Sequence, residues 1–93
     1  MQESTPDRRG PRAVTVKELD VTGLQCPLPI LRTRALLDRM EPGEELVALA
    51  TDPASVIDFK HFCNTTDNRL LAHETRPHPD HGTLFVYRIR RGG

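Results

Sequence analysis

The stretch GLQCPLPILR, residues 23–32, sets one cysteine, Cys26, directly before two prolines, Pro27 and Pro29, and then begins an apolar run. Proline costs nothing at the first helical position, because its missing N–H would have no intrahelical partner there, and Pro29 still falls within the first turn. Gly23 supplies the turn that precedes them. The stretch therefore reads as the junction at which a strand ends and a helix starts, with a sulfur at its tip. A cysteine that only filled a core would have no use for such rigid neighbours.

Working outward, VTVKELDV at 14–21 is rich in β-formers with partial alternation and reads as strand one. The helix is expected over 27–40, stopped by PGEE at 42–45. Ile30, Thr33, Leu37 and Met40 recur on one face of it, which is assigned to the core. Leu28, Leu31 and Ala35 point the other way beside Arg32 and Arg39, giving a small solvent-facing apolar patch next to Cys26. ELVALAT at 45–51 reads as a short buried strand. Asp52 and Pro53 then read as the cap and first residue of a second helix. On that helix Val56, Phe59 and Cys63 share a face, with Phe62 beside it, which places Cys63 in the core. Residues 69–75 and 83–90 read as two further strands joined by the loop RPHPDHG, broken up by Pro77, Pro79 and Gly82. The order is βαβαββ.

The chain has 93 residues, enough for one core and no second domain. Residues 1–13, MQESTPDRRGPRA, offer almost nothing apolar to bury and are expected to be a disordered tail, leaving 14–93 as the domain. Thirteen Lys and Arg balance thirteen Asp and Glu, so no global field draws the chain to nucleic acid or an anionic membrane. The apolar runs are too short and too interrupted by charge for a membrane span or a signal peptide. A cytoplasmic protein with two reduced thiols, Cys26 and Cys63, is expected.

A thiol at a helix N-terminus meets the positive end of the dipole and free N–H groups, both of which favour thiolate. The prolines remove two of those groups and add rigidity. Such a sulfur can attack or accept another sulfur. Position 29 is Pro, so there is no CxxC pair, and with Cys63 placed in the core Cys26 has no resolving partner within reach. Spacing alone leaves a reactive Cys26 and a structural one equally open.

The run LDVTGLQCPLPILRTR, followed by MEPGEEL, ATDPASVIDF and a last strand ending RIRRGG, resembles the TusA (SirA-like) family of small sulfur carriers over residues 14–93. The resemblance implies a two-layer α/β sandwich, with two helices on one face of a mixed four-stranded sheet. It implies that Cys26 accepts sulfane sulfur as a persulfide and passes it to a cysteine of the next protein, with Gly23, Pro27 and Pro29 as the supporting loop. Donors would be pyridoxal-phosphate cysteine desulfurases or rhodanese-type proteins. Acceptors would feed tRNA 2-thiolation, sulfur oxidation or molybdenum cofactor supply. Arg34 and Asp52 match positions resembling the family's partner contacts, while Asp58 matches an acidic position with no assignable role. For Asp52 the plainer reading, a helix cap, is the preferred one. With Leu28, Leu31, Arg32 and Arg39 these residues form the expected partner surface of a monomer that needs no cofactor or metal.

Two features stand outside that pattern. The loop at 76–82 is long for the hairpin and holds His78 and His81 in HxxH spacing, with His73 nearby. An exposed loop without a thiolate is a poor zinc site, and solvated histidines are the simpler account. The terminal Gly92 and Gly93 raise the alternative of a ubiquitin-like thiocarboxylate carrier, but those begin with a β-hairpin and need no cysteine, so RRGG is read as a frayed end. A nucleic-acid module resting on Arg88, Arg90 and Arg91 is disfavoured by zero net charge and four aromatic residues in all.

Overall fold

The computed structural model describes residues 15–92; the expected tail at 1–13 and the start of strand one at Val14 lie outside the described residues. In chain order the elements are β1 (Val16–Val21), α1 (Leu28–Leu37), β2 (Glu45–Ala50), α2 (Ser55–Thr65), β3 (Arg69–His78) and β4 (Gly82–Arg90). The sheet runs β1-β2-β4-β3, with β1 parallel to β2 and the other pairs antiparallel. β1, α1 and β2 form the crossover that a parallel pair requires. α1 and α2 cover one face, and the four-stranded mixed sheet with two helices is the expected sandwich.

The core lies between the layers. Val21, Leu46, Ala48, Ala50, Tyr87 and Ile89 rise from the sheet to meet Leu37, Phe59 and Phe62 of the helices and Met40 just beyond α1. Phe59 stacks on Tyr87 with ring centroids 4.2 Å apart, a pair that adds to the apolar burial. Three buried hydroxyls have partners: Ser55 and Tyr87 share a hydrogen bond of 2.7 Å, and Thr33 donates to the Pro29 carbonyl at 2.8 Å. Their needs are met inside the core, as burial demands.

Several expectations shift. α1 ends at Leu37, three residues before the expected Met40, because the chain turns at Asp38–Met40 to bring Met40 into the core. Pro27 is the cap rather than the first helical residue, Pro29 is buried in the first turn, and Ile30 is only half-buried. α2 starts at Ser55, and its buried stripe is Ser55, Phe59 and Phe62. That stripe is offset from the expected one, so Cys63 is half-buried at the edge of the core instead of within it. The seven-residue loop at 76–82 does not exist as such. β3 runs to His78, the turn takes residues 79–81, and His78 Nδ1 accepts the N–H groups of Asp80 and His81, each at 3.1 Å. Pro77 is tolerated because β3 is an edge strand.

The C-terminal end is tied down rather than frayed. Gly92 donates its N–H to the buried Asn68 side chain at 3.0 Å and lies so close to Asp67 that no Cβ would fit there. Arg91 exchanges backbone hydrogen bonds with Glu44 and Gly43. The C-terminal arginines are engaged within the chain: Arg88 and Arg90 pair with the buried Glu45, and Arg91 donates to the Gly92 carbonyl. Gly93 lies outside the described residues.

Candidate functional site

β1 and β2 are parallel and end side by side, so the segments leaving them meet at one end of the sheet. The first of these is the Gly23–Cys26 loop; the second is Thr51–Asp52, leading into α2. Gly23, at φ +80°, adopts the left-handed turn that glycine favours. Its N–H goes to Thr51 Oγ1 at 2.8 Å. Asp52 then does two things at once. Its Oδ1 accepts the Ala54 N–H at 3.0 Å at the start of α2, and its Oδ2 accepts the Cys26 N–H at 2.5 Å. The cap position of α2 is Ala54, so Asp52 is not the expected helix cap; one carboxylate braces both the turn before α2 and the Cys26 loop.

Cys26 is exposed and free, bonded to Pro27 through a cis peptide at the start of α1. Its thiol is held above its ordinary pKa, chiefly by a side-chain hydrogen bond to Asp58, then by partial desolvation and by the negative charges of Asp58 and Asp52. The expected bias toward thiolate is therefore reversed. The two prolines leave α1 short of free N–H groups, and two carboxylates from the α2 side outweigh the remaining dipole. Asp58, in the first turn of α2, is the functional neighbour without an assignable role from sequence. It stands 32 residues along the chain from Cys26, and no local pattern signals the approach.

A groove of about 290 Å³ runs between the helices, lined by Ile30, Leu31 and Arg34 from α1 and by Asp58, His61 and Phe62 from α2. It brings Leu31 and Arg34 together beside the residue that contacts the thiol. Leu28 and Leu31 are 42% and 52% exposed, so the apolar patch faces solvent as expected. Arg32 and Arg39 are exposed but line no part of this groove. On the other flank His81 reaches over from the β3–β4 turn, its Nε2 within 3.7 Å of where a Cβ on Gly23 would sit. With Gly23, Gln25, Thr51, Asp52 and Pro53 it borders a smaller cleft of about 240 Å³. The HxxH histidines thus separate into a turn cap, His78, and a wall beside the loop, His81. Among the described residues no group of three His, Cys, Asp or Glu is placed to hold a metal.

The family model described as Sulfurtransferase TusA matches residues 17–91, nearly all of the described structure. The chain belongs to the TusA family. A solved structure similar in fold is that of the SirA-like protein from Desulfitobacterium hafniense, with a TM-score of 0.62 and 20% sequence identity over 85% of this chain and 100% of that one. Membership of the TusA family gives the chain a general role as a sulfur-transfer carrier, with donor and acceptor proteins as its partners. No helix among the described residues is long and apolar enough to cross a membrane.

Proposed function

We propose that this TusA family protein accepts sulfane sulfur as a persulfide on Cys26 and hands it to a cysteine of an acceptor protein. The observation that carries the reading is the exposed, free Cys26, anchored through its own N–H by Asp52 with the Asp58 carboxylate beside the thiol. The donor is a cysteine desulfurase or rhodanese-type protein bearing a persulfide. Asp58 takes the thiol proton, the Cys26 sulfur attacks the outer sulfur of the donor, the donor's S–S bond breaks, and its thiolate leaves. A new S–S bond on Cys26 replaces the old one, with no net oxidation. In unloading, the acceptor thiolate attacks the outer sulfur and Cys26 leaves as thiolate. A thiol of raised pKa is a stronger nucleophile once ionised and a poorer leaving group, which suits holding the sulfur until an acceptor docks.

Docking uses the exposed leucines Leu28 and Leu31, with Arg34 beside them and Arg32 and Arg39 farther round α1, steering a partner with an acidic surface. Gly23, Pro27 and Pro29 shape the loop, and Asp52 holds it. The sulfur is destined for tRNA 2-thiolation or sulfur oxidation in the cytoplasm. In the test, the protein is incubated with a cysteine desulfurase, L-cysteine and pyridoxal phosphate and then weighed intact. A gain of one sulfur atom, reversed by reductant and absent in Cys26→Ser, is expected. Loading that survives Cys26→Ser but disappears when Gly92 and Gly93 are removed would replace this reading by a C-terminal thiocarboxylate.

A further inference from the structure

Among the described residues Tyr87 is the largest fully buried side chain, and it carries a hydroxyl into the core. It stands on β4, an inner strand between β2 and β3, level with Ala48 and His73. From there it holds the first turn of α2 at two points. Its hydroxyl shares the 2.7 Å hydrogen bond with Ser55, the first helical residue, and its ring lies on that of Phe59 with only 5° between their planes. Ser55 and Phe59 are four residues apart, so both face the sheet. Asp58 falls between them in the chain and off that face, where its carboxylate accepts the hydrogen bond of the Cys26 thiol. On its other flank lies the open groove between the helices. Ala54, at the cap position, supplies no side-chain hydrogen bond, and a helix start without one depends on what its first turn packs against.

We propose that Tyr87 is a positioning residue for the sulfur site: bonded to Ser55 and stacked on Phe59, it fixes the first turn of α2 so that the Asp58 carboxylate stays within hydrogen-bond reach of the Cys26 thiol. The role rests on the reading of Asp58 as the group that takes the thiol proton. A hydrogen bond weakens steeply once its distance or angle leaves a narrow range, so a small shift of this turn is enough to part carboxylate from thiol. The tyrosine and the carboxylate also interact directly. Burial chiefly holds the Tyr87 hydroxyl above its ordinary pKa, the bond to Ser55 offsets part of that rise, and the charge of Asp58 adds to it. The hydroxyl thus stays protonated and bonded to Ser55 over the range in which the thiol reacts. Cys26 and Asp58 are brought together by two loops at the end of the sheet, but the angle at which they meet is set from the middle of β4.

The pH profile of alkylation by iodoacetamide on the full chain, followed at the Cys26 peptide, tests this. It needs no sulfur donor, so its outcome is separate from whether Cys26 loads as a persulfide. Tyr87→Phe keeps the ring on Phe59 and removes only the hydroxyl. The Cys26 midpoint should then move to lower pH, because a displaced Asp58 no longer holds the proton on sulfur, and alkylation at neutral pH should be several-fold faster. In an Asp58→Asn background the same substitution should change nothing, since the group through which Tyr87 acts is gone. A purely structural tyrosine would give no such dependence on Asp58. Combining Ser55→Ala with Tyr87→Phe removes both hydroxyls and leaves neither unpaired in the core. That variant should match Tyr87→Phe, and it serves in its place if the circular dichroism spectrum shows the single variant unfolded. An unchanged or raised midpoint in a folded variant would overturn the proposal, as would a shift of equal size in the Asp58→Asn background.

Discussion

The two cysteines of this chain are each held back from ionising, and for opposite reasons. Cys63 sits half-buried on α2, and loss of water alone pushes its thiol up to about 11. Cys26 is exposed, and what raises its thiol is chiefly a neighbour, Asp58, which accepts its hydrogen bond and adds negative charge. Burial cannot be undone without unfolding, whereas a carboxylate can give way when a partner docks or a proton moves. One thiol is inert by position; the other is restrained by a group that can also take its proton.

The largest effect expected from that difference is in labelling. At pH 8 a thiol with a pKa near 11 is ionised only to about one part in a thousand. Iodoacetamide should therefore modify the native protein once, at Cys26, and the unfolded protein twice. Rapid double labelling of folded protein would erase the contrast. Next, Asp58→Asn should speed alkylation of Cys26. The substitution removes the charge and the main cause of the raised pKa, so the pKa falls and the thiolate fraction at neutral pH grows. A slower reaction would mean that Asp58 promotes reaction as the thiol's proton acceptor by more than it restrains the thiol as a neighbouring charge. Cys63 should show no change in the same variant.

Smaller effects concern stability. Asp52→Ala removes the acceptor for both the Ala54 N–H, in the turn before α2, and the Cys26 N–H, and should cost about 1 kcal/mol in urea unfolding. Its effect on transfer should be larger than that loss alone would suggest, because the Cys26 loop loses its anchor. An Asp52→Ala protein of wild-type transfer rate would reduce Asp52 to a brace of the turn before α2. Cys63→Ala should cost on the order of 1 kcal/mol or less, since the side chain is only half-buried, and should leave transfer intact.

How far the sequence foretold these two environments follows from the range of the interactions involved. The element order, the outward leucines and the helix start at Cys26 rest on local spacing and proline chemistry, and the fold keeps them. The buried stripe of α2 differs from the expected one because Asp52 and Pro53 mimic a helix start three residues before Ser55, where the helix begins. The hairpin is longer than expected because Pro77 and Pro79 signal a break in the sequence, although an edge strand has no use for the missing N–H at Pro77 and the turn accommodates Pro79. The sequence around Cys26 shows only its own helix, which favours thiolate, while the groups that decide its ionisation, Asp52 and Asp58, come from the segment after β2. His81 is exposed, as expected, but its place beside Gly23 is not legible in the sequence, because it depends on the sheet bringing the β3–β4 turn to the end where β1 stops.

The most direct test is to locate the sulfur. After loading by a cysteine desulfurase, the protein is alkylated without reductant, digested and mapped by mass spectrometry. The extra sulfur should lie on the peptide containing Cys26, with the Cys63 peptide carrying none. Sulfur on Cys63, or divided equally between the two, would contradict the account.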